Sequence, residues 1–572
     1  MDVYVNQLGY EPSGSKQVVI EAGEEWELDG VELVDADVGD HVASLTPECH
    51  GTVADWDCGD FWTVAFDDVT REGEYYLLVD PDDGRTVASR RFEIRSNLHQ
   101  RELLSDLLRG IVAQRSRGVY DRVDRQAPFV GERDGTVDVH GGWYDASADR
   151  SKYLSHLSYA NFWNMQQSPL VVWALLDARA RLLEHDIETD LDAHLIEEAL
   201  YGADFLVRMH DPAGYFYSTV FDGWSHDPDR REICAFEGRA GRKTDDYEAG
   251  YRQGGGVAIA ALARASRLDG DAYNGAAFDG ETYREHAIEG FDHLEATNDA
   301  YLDDGTENVI DEYCALLAAS ELSAAVGEDR FREAAHERAQ ALCDRQTADD
   351  RYEGWFRADD AERPYFNVVE AGLPAIALLR YRSLVEAPID GIERTLADYW
   401  TFEREITTEV TNPFGYARQY VVDADGDRRS SFFIPQDNET GYWWLGENSR
   451  LASLAAAARQ SADVIETVDA TVGAAWLRRF AREQIDWILG VNPYGAAMVR
   501  GVGRPLPEYD SAHPGVPGGV CNGITAGVRD PDGIAFAPDP QASDPQEAWR
   551  WTEQWVPHAA WLLLAVASVD RI

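Results

Sequence analysis

Along the first 96 residues, apolar side chains fall in short alternating or β-branched runs. These are Val3-Tyr4-Val5, Gln17 to Ile20, Val31 to Val34, Phe61 to Phe66, Tyr75 to Val79 and Val87 to Ile94. Turn-rich pieces separate them, such as Glu11-Pro12-Ser13-Gly14 and Asp80 to Gly84. Several short strands at this spacing predict a small antiparallel sandwich. From about residue 97 the period becomes helical. Ala/Leu-rich segments recur at 98–115, 168–185, 193–209, 254–267, 282–296, 310–326, 330–346, 366–384, 447–460, 473–489 and 556–569. Their spacing predicts eleven or twelve amphipathic or buried helices, an all-α domain of catalytic size. Helix pairs stacked in a ring suit that count. The expected division is therefore an all-β unit over 1–96 and an all-α unit over 97–572. Two connections, 213–250 and 401–446, read as long aromatic loops. Loops of that length in a compact domain carry function or are surface insertions.

Charge narrows the picture. Asp and Glu number 104 against 51 Lys and Arg, a formal net charge of −53. Only Lys16, Lys152 and Lys243 are lysines. Such a charge self-repels in dilute buffer, and salt that shortens the Debye length relieves it. The composition reads as adaptation to high salt, a halophilic pattern. The acids are scattered, so this is no acidic tail, and binding to a nucleic-acid backbone is excluded. No apolar run is long enough for a membrane span. The N-terminus MDVYVNQLGY shows no signal peptide, so a cytoplasmic protein is expected unless a leader was removed. The six cysteines show no paired metal spacing and read as free thiols, with Cys49-His50 and Cys58 as the alternative metal-binding group.

Three clusters offer chemistry. In Tyr144-Asp-Ala-Ser-Ala-Asp-Arg-Ser-Lys-Tyr153, Asp145 and Asp149 lie four apart after Gly141, Gly142 and Trp143. On a helix that spacing shares one face, and two like charges there would raise one pKa, as suits a base holding a water. The competing reading makes Asp145 a helix cap. Trp143, Tyr144 and Tyr153 beside the acids suit a sugar site, because pyranose faces stack on rings. In Trp549 to His558, Glu553 sits among Trp549, Trp551 and Trp555. A carboxyl in an apolar setting has its pKa raised and can donate a proton near neutrality. The competing reading buries the tryptophans in the core and turns Glu553 to water. In Pro435 to Arg450, Glu439, Trp443, Trp444 and Glu447 are candidates to line a saccharide pocket, and Glu447 also suits a helix N-terminus. No nucleophile elbow, P-loop, HExxH or dinucleotide fingerprint is present. Gly254-Gly255-Gly256 opens an alanine-rich helix and reads as close helix packing.

These residues resemble glycoside hydrolase family 9, the inverting cellulase family, over nearly the whole chain. Val3 to Tyr10 resembles the start of the immunoglobulin-like domain that precedes many members. Gly141 to Tyr153 resembles the family's GGWxDAGDxxKY motif. Ile485 to Pro493, continuing to Gly518-Gly519 and Asn522-Gly523, resembles its LGxNPxG stretch. Thr552-Glu-Gln-Trp555 resembles the segment that starts the last helix. The resemblance implies an (α/α)6 barrel after the immunoglobulin-like domain. It implies that Asp149 is the general base, Asp145 positions the water and Glu553 is the general acid. Trp143, Tyr144, Glu439, Trp443, Trp444, Glu447, Trp551 and His513 are the expected substrate contacts. Cofactors are not expected. The calcium site of some members would fall at Tyr251-Arg252-Gln253, residues that put calcium in doubt. The two aspartates stand four apart where the usual motif has three. That variant, with the stretches after it, resembles a branch that includes exo-acting glucosaminidases of marine bacteria. The expected function is hydrolysis of β-1,4-linked glucans or cello-oligosaccharides. The alternatives are an exo-β-glucosaminidase on chitosan oligosaccharides, its ammonium met by Glu439 or Glu447, and a non-catalytic carbohydrate-binding protein.

Overall fold

A computed structural model of the chain describes every residue except 24–27, 82–85, 158–162, 188–189, 239, 424, 439, 441–442, 467–471, 507–513, 538–544 and 570–572. The first unit is two facing sheets. Asp2–Tyr4, Gln17–Ala22, Asp60–Ala65 and Glu48–Gly51 form one. Gly9–Tyr10, Phe92–Ile94, Gly73–Pro81, Leu28–Asp35 and His41–Leu45 form the other, with Val87–Ala88 paired onto Gly73–Pro81. Val18, Ile20, Leu33, Val64, Leu77 and Phe92 meet between them. All pairings are antiparallel except that of Phe92–Ile94 with Gly9–Tyr10.

Among the described residues, twelve α-helices have ten or more residues. They are α1 (Leu104–Ala113), α2 (Ser168–Glu184), α3 (Asp192–Arg208), α4 (Gly256–Ala265), α5 (Gly280–Tyr301) and α6 (Val309–Val326). The rest are α7 (Asp329–Asp344), α8 (Leu373–Leu384), α9 (Ile392–Thr408), α10 (Asn448–Ile465), α11 (Ala474–Ile488) and α12 (Val556–Ala567). The contacts run in a closed circuit: α2 packs on α4, α4 on α6, α6 on α8, α8 on α10, α10 on α12, and α12 returns to α2. Helices of this ring are apolar around much of their circumference, as a doubly covered helix must be. All ten residues of α4 and all twelve of α12 are buried. The alternate helices are amphipathic and lie outside: α3 on α2, α5 on α4, α7 on α6, α11 on α10 and α1 on α12. The result is a mainly helical barrel. Gly256 lets α4 approach α6, since a Cβ there would lie 2.8 Å from the Cys314 Cβ. The four basic and acidic side chains Asp177, Arg264, Glu321 and Arg380 are buried together across α2, α4, α6 and α8. Among the described residues no helix is long and apolar enough to cross a membrane.

The two aromatic connections depart from the sequence reading. Helix α9 begins before residue 401 and continues to Thr408, inside what reads as a loop. Trp400, Phe402 and Ile406 are buried along it, while Glu403, Arg404 and Glu405 dilute the apolar pattern. The connection 213–250 is a run of short strands. Thr219–Phe221, Glu232–Glu237 and Arg242–Thr244 extend a four-stranded sheet whose first strand is Lys152–Tyr153.

The two units are joined by motif residues. Gln7 N–H donates to the Leu489 carbonyl at 2.9 Å, Asn6 Nδ2 to Asp486 Oδ1 at 2.7 Å, and the Tyr4 hydroxyl to the Pro493 carbonyl at 2.9 Å. The stretch Val3–Tyr10 is therefore a docking edge for the turn after α11. Burial pushes the Asp486 carboxyl up to about 7.

Candidate active site

Gly141 and Gly142 have φ of 88° and 70°, and a Cβ on Gly142 would lie 2.7 Å from the Phe205 ring. Glycine is required there by conformation and by space. The turn they begin rests on a buried ion cluster. Lys152 Nζ lies 2.8 Å from Asp124 and donates to the carbonyls of Val139 at 2.6 Å and Gly141 at 2.9 Å. Arg231 adds a 2.6 Å bond to Asp124. Burial pulls the Lys152 ammonium down to about 8.

Residues 145–151 form a turn, not the helix that the four-residue spacing suggests. Asp145 N–H donates to the Ser151 carbonyl at 2.9 Å, and Ala146 and Asp149 exchange backbone bonds of 3.3 Å. The extra residue of DASAD is absorbed in this closed loop. The aspartates share a site without sharing a helix face.

The loop is stitched to the C-terminal segment. Ser147 N–H donates to the Gln554 carbonyl at 2.8 Å, and Val556 N–H to the Asp145 carbonyl at 2.9 Å. Ala146 bridges Trp555, and Cys521 bridges Gln554 from the other side. Asn522 N–H donates to the Glu553 carbonyl at 2.8 Å. Three motifs that the sequence reading singled out thus lie in adjacent extended strands of backbone.

The three carboxyls have different surroundings. Asp149 is fixed by three donors: Ser151 N–H at 2.8 Å, the Tyr153 hydroxyl at 2.7 Å and Trp224 Nε1 at 3.0 Å. Asp145 is fully buried, with His156 Nδ1 at 3.5 Å. Its two oxygens accept no hydrogen bond from the described residues. Burial pushes it up to about 6, opposed by His156 and reinforced by the Asp149 charge. Glu553 is pushed up to about 8 by burial. The Trp555 indole N–H donates to it at 3.1 Å and works the other way, while the Asp149 and Asp145 charges raise it further. Burial thus raises the Glu553 carboxyl above that of Asp145, the kind of difference in environment that separates acid and base roles.

Rings line the neighbourhood. The His156 ring stacks on Trp555 at 5.0 Å and meets Tyr153, Phe236 and Trp443 edgewise or tilted. Trp443 continues to Trp549 at 5.3 Å and Trp224 at 6.0 Å. Trp224 has φ of 52°, a backbone conformation unusual for a bulky residue and concentrated at functional sites. Asp222 is buried beside it, its carboxyl raised by burial and by Asp149. Trp224, His156, Asp222 and Phe236 were not singled out by the sequence. The signal available was the aromatic richness of 213–250.

Other expected contacts are placed differently. Trp143 is fully buried and its indole donates to Glu198 at 2.6 Å, a carboxylate that Arg115 also grips. It anchors the turn and offers no face to a sugar. Trp551 is also fully buried, edge-on to Trp444, whose ring lies under the Arg550 guanidinium at 4.2 Å. Tyr144 exchanges hydrogen bonds of 3.1 Å with the Arg117 backbone and lies under Arg150. Glu447 stands just before α10, and its carboxylate accepts from Ile434 N–H at 2.6 Å, Arg450 at 2.5 Å and Gln419 at 3.0 Å. Its oxygens are committed to the scaffold at the start of α10. Of that third cluster, Trp443 reaches the acids' surroundings. Glu439 and His513 lie outside the described residues.

The calcium expectation meets a specific obstacle. At residues 251–253, where the resemblance would place the calcium site, Arg252 is bonded to Asp304 at 2.8 Å and Asp311 at 3.1 Å. A guanidinium already neutralises those carboxylates, and the residues do not fit calcium.

The model of glycosyl hydrolase family 9 matches residues 101–512, and that of the cellulase N-terminal immunoglobulin-like domain matches residues 1–83. The chain belongs to glycosyl hydrolase family 9. It is therefore a glycoside hydrolase with an N-terminal immunoglobulin-like domain. Its fold is similar to that of a metagenome-derived family 9 endoglucanase, at 19% identity and TM-score 0.65 over 99% of this chain and 98% of that one. A family 9 protein of Bacteroides ovatus is similar at 17% identity and TM-score 0.63, over 99% and 98%. A single mutant of a thermostable endoglucanase from Alicyclobacillus acidocaldarius gives 18% and 0.62, over 99% of both chains. Compared with curated proteins, the chain has no significant match. Within this family 9 chain, the matched region contains Asp145 and Asp149, while Glu553 lies beyond its end and reaches the site through the backbone pairing of 145–147 with 554–556.

Proposed function

We propose that the protein is an inverting, cellulase-type hydrolase of β-1,4-linked glucans or cello-oligosaccharides, built on an (α/α)6 barrel. One observation carries the mechanism: the buried Glu553, its carboxyl pushed up by burial, is tied by its own segment to the turn that holds Asp145 and Asp149. Glu553 gives its proton to the glycosidic oxygen as the bond to the anomeric carbon breaks. A water held by Asp145 loses a proton to Asp149 and attacks the opposite face of that carbon. The leaving sugar departs with its new hydroxyl, and the product carries the inverted anomeric configuration. Separate acid and base with water between base and sugar are the requirement of this chemistry. Aromatic faces at Trp443 and Trp224 supply the sugar-stacking surface. Proton NMR of the first product from a β-linked cello-oligosaccharide is expected to show the α-anomer. A β-anomer would require a covalent intermediate and overturn the mechanism.

A second reading is favoured by Asp222. An acid buried next to Asp149, with one oxygen lacking any hydrogen bond among the described residues, suits a glucosammonium group better than a neutral glucose. Glu447 is committed elsewhere, and Asp222 offers the carboxylate that was expected from Glu439 or Glu447. Release of p-nitrophenol from the cellobioside against the β-glucosaminide separates the two substrates. Family membership sets the non-catalytic reading aside.

Two further results are expected. The pH profile of kcat/KM should be bell-shaped. Glu553 acts while protonated, so the rate falls as pH rises through about 8. Asp145 acts as a carboxylate, so the rate falls as pH drops through about 6. A profile with no alkaline fall would remove Glu553 from the acid role. Trp224→Phe keeps a ring and deletes the N–H that holds Asp149. A hydrogen bond to a charged group is worth enough to predict a kcat loss of about 10- to 100-fold with a much smaller change in KM. A change in KM alone would make Trp224 a stacking platform only.

A further inference from the structure

Away from the acids, the segment after α3 meets the outer helix α5 through a pair of histidines. His210 Nδ1 and His286 Nδ1 face each other at 2.9 Å, with the rings nearly perpendicular. Glu289 follows His286 by three residues on α5, which puts both on one helix face. One ligand atom from each of His210, His286 and Glu289 lies within 4.8 Å of the others. His210 is 7% exposed, His286 is half-buried and Glu289 is exposed.

We propose that His210, His286 and Glu289 bind a divalent transition-metal ion of the zinc class. The tautomer of His210 favours it. Its Nε2–H donates to the Gly214 carbonyl at 3.2 Å, which leaves the Nδ1 lone pair aimed at His286. A carbonyl that orients a histidine through its far nitrogen is the usual support of a metal-ligating imidazole. Without metal, one ring must donate to the other, so His286 carries its proton on Nδ1. Binding requires that proton to move to Nε2 of the same ring, with no net release. Metal–nitrogen bonds of about 2.0–2.1 Å would need the two nitrogens to separate by only a few tenths of an ångström. Two imidazoles and one carboxylate select zinc, cobalt or nickel over calcium or magnesium. A fourth position stays open to solvent.

The place gives the ion a role. Residues 209–217 turn back on themselves, Tyr217 N–H donating to the Met209 carbonyl at 2.8 Å. The chain then enters the strand Thr219–Phe221 and reaches Asp222 and Trp224 beside Asp149. A metal joining His210 to α5 clamps the base of that aromatic arm.

The test uses the full chain after chelation, titrated with zinc by calorimetry and with cobalt by visible absorption. Expected are one equivalent bound, a tetrahedral cobalt spectrum and a rise of a few degrees in Tm. His286 and Glu289 lie outside the site of hydrolysis, so hydrolytic activity reports that His286→Gln and Glu289→Gln both fold. Zinc affinity should fall at least about tenfold in His286→Gln and by a smaller factor in Glu289→Gln. No one-to-one zinc binding by the wild-type chain, or undiminished binding in both variants, would overturn the site.

Discussion

Glu553→Gln is expected to lose about 10²- to 10⁴-fold in kcat on cello-oligosaccharides, the range of a general acid's contribution. The amide keeps the volume of the carboxyl, and its oxygen still accepts the Trp555 indole N–H seen at 3.1 Å. Substrate affinity should therefore change little. The loss should shrink on substrates whose leaving group needs no proton, such as a dinitrophenyl glycoside. An equal loss on both substrate types would point to a positional defect in place of a missing proton. The variant also makes a stability statement. The folded-state pKa of Glu553, about 8, lies above its ordinary value of 4.5, so between those values the folded protein binds more protons than the unfolded chain. Stability from this group is present below pH 4.5 and is lost as pH rises through about 8. Glutamine carries no such dependence. Thermal unfolding above pH 8 should find the variant at least as stable as the wild type.

The second large effect is expected at Asp149. Asp149→Asn removes the base and should lower kcat by about 10²- to 10⁴-fold. It also costs stability. The native carboxylate accepts from Ser151 N–H, Tyr153 and Trp224, and an amide must turn a donor toward one of them. A buried donor set against a donor costs about 1–3 kcal/mol. Added azide should restore turnover in this variant, because it attacks without needing a base, and the product is the α-glycosyl azide. Asp145→Asn is the informative comparison. Its oxygens bind no described residue apart from the 3.5 Å approach of His156, so it should fold almost as well as the wild type. Its defect should be milder than that of Asp149→Asn and should not respond to azide. Rescue of Asp145→Asn and not of Asp149→Asn would exchange the two roles.

Much of this was legible one-dimensionally. Runs with period two marked the sheets, and segments with period 3.6 marked all the long helices except α9. In α9 the charged triplet Glu403-Arg404-Glu405 interrupts the apolar signal between Trp400 and Ile406. Residue chemistry in order along the chain was enough to nominate Asp145, Asp149 and Glu553, and the family match covers the first two. The aromatic richness of 213–250 marked a functional segment without saying which ring would touch an acid.

What the sequence determined by itself was local: the periods, the turn residues and the kinds of side chain available. Partnership was decided by the tertiary structure alone. Ser147 and Gln554 are 407 residues apart, and their pairing is what gives the aspartates a glutamate to work with. Three residues that look alike on paper were separated in the same way. Trp143 and Trp551 went into the core, where Glu198 or neighbouring rings take their edges, while Trp443 stayed with the acids. Glu447 and Glu553 both sit among tryptophans in the sequence. One meets Arg450 and becomes scaffold, while the other meets no cation among the described residues and is pushed up by burial. The physical reason is that a carboxyl's charge depends on the groups packed within a few ångströms of it, and those groups come from distant parts of the chain.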